Sequence, residues 1–265
     1  CRFYQNATNK QKDMSKLSKQ ILTIAIALLA FGCSKTKTPN ETSFAISGTI
    51  QGADSPYIIL REIGKTGFTP ADTITLDKKG NFSHLVKMSE PTLYSLSYKD
   101  DYITLCPKVK EQIQIKSTAA DFSGSYSISG SEESELLKQM NNHTAQIRQT
   151  LKAMSDYLKV NNIDNLDSVK HVFLQRLNEI HAQEVAYSED FIHKHSGSLT
   201  TLIALYRTFE GRPLFDYRSD LSIYKEVLEG LNKTLPNNQH TLILKNFIEQ
   251  KQQEQNEHLA QQEQK

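Results

Sequence analysis

The chain contains no tryptophan, only three cysteines and a formal net charge of just +1 over 265 residues. Each shortage removes a class of protein. A balanced charge without a basic stripe leaves no electrostatic footprint for nucleic acid, so no nucleic-acid partner is expected. Cys1, Cys33 and Cys106 make no C-x-x-C pair, which argues against a disulfide framework and a structural zinc site. No G-x-S-x-G, H-E-x-x-H or glycine-rich dinucleotide loop occurs; no catalytic residue, metal or cofactor is therefore expected. Long hydrophobic runs are also scarce. The one that exists, Ile21 to Gly32 in ILTIAIALLAFG, is shorter than the ~20 residues that a spanning helix needs.

What precedes and follows this run gives it meaning. Met14 opens MSKLSKQ, whose Lys16 and Lys19 form the positive start of an export signal, and the apolar run fits the ~7–15 residues of its hydrophobic region. Residues 1–32 are therefore expected to comprise upstream residues, with translation starting at Met14, and a signal peptide. Ala30-Phe31-Gly32-Cys33 resembles the lipobox of bacterial lipoproteins, although Phe31 stands where a small residue is usual. That resemblance implies cleavage before Cys33, diacylglycerol on its thiol and a fatty acid such as palmitate on the new amino terminus. Two or more acyl chains hold a protein stably on a bacterial membrane, whereas one holds it marginally. Residues 33–43 then read as a lipidated polar tether that reaches about 35 Å when extended. In lipoproteins of the Bacteroidota type an acidic cluster after the Cys directs export to the cell surface; Lys35 and Lys37 stand there instead. The expected location is the periplasmic face of the outer membrane.

From residue 44 to 130 short β-rich runs alternate with turn residues, including FAISGTI, YIILREI, DTITL, TLYSLSY and EQIQIKS. Phe44, Ile46 and Ile50, like Ile113 and Ile115, alternate as half-buried strands do. Lys78-Lys79-Gly80-Asn81 reads as a hairpin turn, because Gly and Asn tolerate positive φ. At Gly130 the period changes. Ser131 is placed to cap a helix, with Glu132 and Glu133 at its positive end. Leu137, Met140, Thr144, Ile147, Leu151, Met154 and Leu158 then recur at spacings of three and four, the seam of a coiled-coil-like helix. After Asn161-Asn162-Ile163-Asp164 a second helix carries Val169, Phe173, Leu177, Ile180, Tyr187 and Phe191. A third is expected from Leu199 through Phe209, ended by Gly211-Arg212-Pro213. Two more cover residues 218–233 and 239 onward, packing through Leu242, Ile243, Phe247 and Ile248. The expectation is an α+β protein: an antiparallel β-sandwich-like domain over 44–130, then an all-helical domain over 131–265 with a long helical hairpin and a polar tail.

Several chemical motifs dissolve on inspection. Gly64-Lys65-Thr66 ends like a phosphate-binding loop, but Ile59 occupies the place of its first glycine and the segment joins strands, so a β-turn is expected. His193-x-His195 and His181-x-x-Glu184 lack further matched ligands, and their histidines read as solvated helix residues. Cys106 reads as a small hydrophobe turned into the sheet.

The runs FAISGTIQG, YIILRE, DTITLDKKGNF, PTLY and ISGSEESELL, between residues 44 and about 140, together resemble the domain of unknown function DUF4369 of Bacteroidota lipoproteins. In that family a helical segment and then a thioredoxin-like domain of the TlpA/ResA type, with W-C-x-x-C, usually follow. The resemblance implies a lipid-anchored, non-catalytic module that anchors or presents a thioredoxin-like redox protein, in a truncated member. With Cys33 acylated only Cys106 remains, and dithiol exchange needs a pair. The alternative is a stand-alone envelope lipoprotein that binds or scaffolds a protein or glycan. A third reading is a dimer through the Leu/Met seam of the hairpin.

Overall fold

The computed structural model describes residues 38–64, 67–160 and 166–263. The leader, Cys33 and the tether through Lys37 lie outside the described residues.

In β1 (Ser43–Gln51) Phe44, Ile46 and Ile50 are fully buried while Ser47 and Thr49 face outward. The strands that follow are β2 (Tyr57–Gly64), β3 (Gly67–Thr75), β4 (Asn81–Lys87), β5 (Leu93–Tyr98), β6 (Asp101–Leu105), β7 (Gln112–Thr118) and β8 (Ser127–Ser129), with a one-turn helix α1 (Phe122–Ser125) before the last. They form two four-stranded sheets, ordered β4-β1-β7-β8 and β3-β2-β5-β6. Phe44, Ile113 and Ile115 from the first sheet meet Ile58, Leu60, Leu96 and Ile103 from the second in one hydrophobic cluster. Each such burial contributes about 1.5–3 kcal/mol relative to exposure.

Two expectations need correction. The sheets are not wholly antiparallel: β1 runs parallel to β7, with Ile46 opposite Ile113, because the whole second sheet is threaded between these two strands. Gly48 permits that pairing, since a Cβ there would stand 1.8 Å from the Ile115 carbonyl oxygen. Nor does the Lys78–Asn81 turn close a hairpin. Asp77 Oδ1 accepts from the Lys79 and Asn81 amides and Gly80 has φ +79°, so the turn forms as its residues dictate. Yet β3 pairs with β2 and β4 with β1; the turn carries the chain from one sheet to the other. The segment after Gly64 does join strands, with Gly64 paired to Gly67, while Lys65 and Thr66 lie outside the described residues.

The helices are α2 (Glu132–Val160), α3 (Leu166–Lys194), α4 (Thr200–Leu205), α5 (Leu221–Thr234) and α6 (Gln239–Glu263). Ser131 starts α2 as expected: its Oγ accepts from the Ser134 amide at 3.4 Å, and Glu135 reaches back to the Gly130 amide at 3.1 Å. Glu132, Glu133 and Glu135 occupy the first turn, where the helix dipole favours them. The same start is stitched to the end of β6, where the Cys106 amide donates to Ser134 Oγ and Ser131 Oγ donates to the Cys106 carbonyl.

In the antiparallel pair α2 and α3, burial is graded. Leu137 and Met140 near the start of α2 face Ile180 and Phe191 of α3 in the helical core, whereas Ile147, Leu151, Met154 and Leu177 are only half-buried. The third helix is shorter than expected. It stops at Leu205, and Phe209 lies in a two-residue strand β9 (Thr208–Phe209) paired with β10 (Arg212–Pro213). Glu210 and Gly211, both at positive φ, make the turn that such a tight hairpin demands. In α6 the packing register also differs: Leu244 and Ile248 are buried, and Leu242 is exposed. The helical core further takes in Leu93 and Cys106 from the strand region. Cys106 thus points away from the inter-sheet cluster expected to hold it, because it follows the inward-facing Leu105 by one residue and strand neighbours face opposite ways.

Candidate binding cleft and the thiol beneath it

The end of β6, the start of α2 and the turn after α3 converge on a cleft of about 720 Å³. Its floor is apolar, with Leu136, Leu199 and Leu235, and its rim carries Glu41, Glu90, Glu132 and Glu133 against Lys108 and His195. Glu133 is mostly withdrawn from solvent; it pairs with Lys108 Nζ at 3.1 Å and accepts from Ser198 Oγ. Burial alone would lower the Lys108 pKa, but its bond to Glu133 and the nearby carboxylates raise it, so this lysine stays charged. Gly197, at φ +92°, shapes the turn and is held by Thr234 Oγ1 donating to its carbonyl at 2.6 Å.

Cys106 is among the residues that line this cleft, at 3% exposure. Burial, with the Glu133 carboxylate beside it, pushes the thiol above the ordinary cysteine range. A thiol kept protonated is a poor nucleophile. It is the one free cysteine among the described residues.

The histidines marked in the sequence do not converge. His193 pairs with Glu226, His195 lies 4.5 Å from the Phe191 ring, and His181 meets Phe209 edge-on. No cluster of metal-ligating side chains occurs among the described residues. Glu184 is 3% exposed and accepts from Arg207, while His143 Nε2 lies 2.5 Å from its other oxygen. Arg207 also donates to Ser188 Oγ at 2.9 Å and Thr144 Oγ1 at 3.2 Å, and the His143 ring stacks on Tyr187 at 3.7 Å. This cluster ties α2, α3 and the segment after α4 together. Sequence reasoning missed it, though a signal existed: Glu184 sits four residues after Ile180 and seven before Phe191, on the apolar stripe of its own helix.

Farther along the hairpin a second cavity of about 710 Å³ opens between α2 and α3, lined by Ala153, Met154, Val172 and Phe173. Val172 is 65% exposed and Leu174 49%. Apolar residues that line this cavity, Val172 foremost, are thus left uncovered.

Two face-to-face sheets followed by a helical layer define an α+β protein with a cleft at the seam. Within it, residues 44–137, from β1 into the second turn of α2, match the family described as Domain of unknown function (DUF4369). No curated protein matches the chain. Among solved structures, it is similar to a candidate cell adhesion protein from Bacteroides ovatus, at 15% identity and a TM-score of 0.21. That likeness spans 34% of this chain and 43% of the other, less than half the length of either.

Proposed function

We propose that the chain is a lipid-anchored, non-catalytic module of the bacterial envelope, held through Cys33 on the periplasmic face of the outer membrane, that anchors or presents a thioredoxin-like redox protein. The observation that carries this reading is the state of Cys106. A single thiol, buried and with its pKa raised, cannot run a dithiol cycle by itself, which fits a presenting rather than a catalysing role for these residues. The DUF4369 match over residues 44–137 supports the same reading through the company that domain keeps in envelope lipoproteins. Two measurements test it. Labelled palmitate should enter the full chain in a bacterial host and be lost in Cys33→Ser; label that never enters, or persists in the variant, refutes the anchor. The purified chain should not reduce insulin in the presence of dithiothreitol beyond the reagent alone, and robust turnover refutes the non-catalytic role.

A second reading, a stand-alone binding lipoprotein, is favoured by the cleft, whose volume of about 720 Å³ falls in the range of small-ligand sites.

A further inference from the structure

We propose that the outer face of the sheet β3-β2-β5-β6 binds an acidic oligosaccharide, with the carboxylate of a uronate on Arg61 and its sugar rings against Phe68 and Tyr102. The proposal goes beyond both readings above and depends on neither, since none of these three residues lines the cleft.

Strand register brings these side chains to one face. Residues two apart along a strand share a face, and so do partners across a ladder. Tyr57, Arg61 and Ile63 therefore line one side of β2. Phe68 joins them opposite Ile63, Ser97 stands opposite Ile59 on the same side, and Tyr102 stands opposite Ser97. Part of this face is covered, where Ile63, Leu93 and Cys106 pack with the helical core. The rest carries three aromatic side chains, Tyr57, Phe68 and Tyr102, each about half exposed, although rings of this size are ordinarily withdrawn from water. The Phe68 and Tyr102 rings, from the two edge strands, stand 6.4 Å apart, edge to face.

Charge supplies the second, independent observation. Arg61 is half-buried, and its Nη1 donates to Ser97 Oγ at 2.9 Å; the guanidinium has no carboxylate partner among the described residues. The carboxylates of the same four strands are engaged elsewhere. Glu62 faces the opposite side and accepts from Gln239 Nε2 at 2.7 Å, Asp72 lies 2.6 Å from His84 Nε2, and Asp101 accepts from the Ser123 amide at 2.8 Å. A guanidinium keeps its charge when withdrawn from water, and its planar fork of donors suits a planar anion. One unpaired guanidinium balances the single charge of a carboxylate, whereas a phosphomonoester carries about −1.5 to −2. The rings select what bears that carboxylate. A pyranose presents C–H groups that pack on the negative face of an aromatic ring, and the exposed Thr73, opposite Ile59 on the same side, offers a hydroxyl to those of the sugar. A polypeptide strand fits less well, because Pro70 leaves a gap in the N–H groups of the edge strand β3 that an added strand would need.

Calorimetric titration of the full chain with tetragalacturonate, its methyl ester and the peptide acetyl-Glu-Glu-Glu-Glu-amide separates the ring from the charge. Tetragalacturonate should bind saturably, the ester about tenfold more weakly, and the acidic peptide not at all. Arg61→Gln should weaken tetragalacturonate about tenfold, as loss of a charge-assisted hydrogen bond requires, and leave the ester unmoved. Tyr102→Ala should weaken acid and ester alike, by about threefold to tenfold. Thr73→Glu, which sets a carboxylate on an exposed position of the same face, should abolish binding of the acid while the far-UV circular dichroism stays unchanged, and it keeps the test decisive where Arg61→Gln does not fold. Ester binding as tight as the acid, or peptide binding at least as tight as the sugar, overturns the ligand class. Silence from all three probes, or affinity for tetragalacturonate unmoved by Tyr102→Ala and Thr73→Glu, overturns the site. Neither outcome touches the anchor or the redox role, which the palmitate and insulin measurements decide.

Discussion

Leu60 in β2 and Val172 in α3 are both aliphatic residues within regular secondary structure, yet the first is fully buried and the second 65% exposed. The difference lies in what opposes them. A strand residue on the inner face of one sheet is met by the other sheet along its whole length, so Leu60, Leu96, Ile103 and Ile113 share one closed cluster. A hairpin residue is met by one helix only, and along the cavity between α2 and α3 the apolar stripe lies open. Aliphatic residues in regular elements therefore carry different energies, depending on how completely the opposing layer covers them.

The largest expected effect tests a place where the helical region is closed by charge rather than by hydrocarbon. Glu184→Ala leaves Arg207, whose side chain is 9% exposed, without its carboxylate; urea denaturation should show a loss of about 3–5 kcal/mol. A loss under 1 kcal/mol would mean that the cluster is solvated in solution. Leu60→Ala, in the closed inter-sheet cluster, should cost about 2–5 kcal/mol by the same measurement. Next comes Ser131→Ala, which removes the α2 cap and a bond to the Cys106 carbonyl, at about 1 kcal/mol. At the bottom of the scale, Val172→Ala in the open groove should stay within about 0.5 kcal/mol. A cost there equal to that of Leu60→Ala would break the comparison and show that something covers the groove.

A pH experiment sharpens it at the seam between the two regions. His240 Nε2 lies 2.9 Å from Thr92 Oγ1, and Asn238 donates to the Pro91 carbonyl at 2.6 Å, fastening the start of α6 to the approach to β5. Burial lowers the His240 pKa below its ordinary 6.5. The unfolded chain then takes up this proton at a higher pH than the folded one. The stabilising contribution is therefore complete above 6.5 and is lost as pH falls towards the lowered folded value. His193, raised by its bond to Glu226, acts with the opposite sign, contributing below 6.5 and fading as pH rises through its folded value. The slope of stability between about pH 5 and 6.5 should thus be shallower in His240→Gln than in the unaltered chain. An unchanged slope would place His240 in water.

Much of the local structure was legible beforehand. The alternation around Ile113 and Ile115, the Asp77–Gly80 turn, the Ser131 cap and both long helices follow from sterics and hydrogen bonds within a few residues. The cleft was not legible, because Cys106, Glu132 and Leu199 are brought together from distant segments. Glu184 and Arg207 likewise stand 23 residues apart. A carboxylate on an apolar stripe hinted at a buried partner without naming it.

By itself the sequence determined where most strands, turns and helices form, the β9–β10 hairpin after Leu205 excepted, and which residue types each side of them presents. Only the tertiary structure decided that β1 pairs in parallel with β7, that the turn at Gly80 crosses between sheets, that Leu244 rather than Leu242 is buried, and that Cys106 faces the helices. The physical reason is range. Backbone sterics and period act over one turn or one strand, whereas pairing partners and covering layers are set by contacts between segments whose encounter no local pattern encodes.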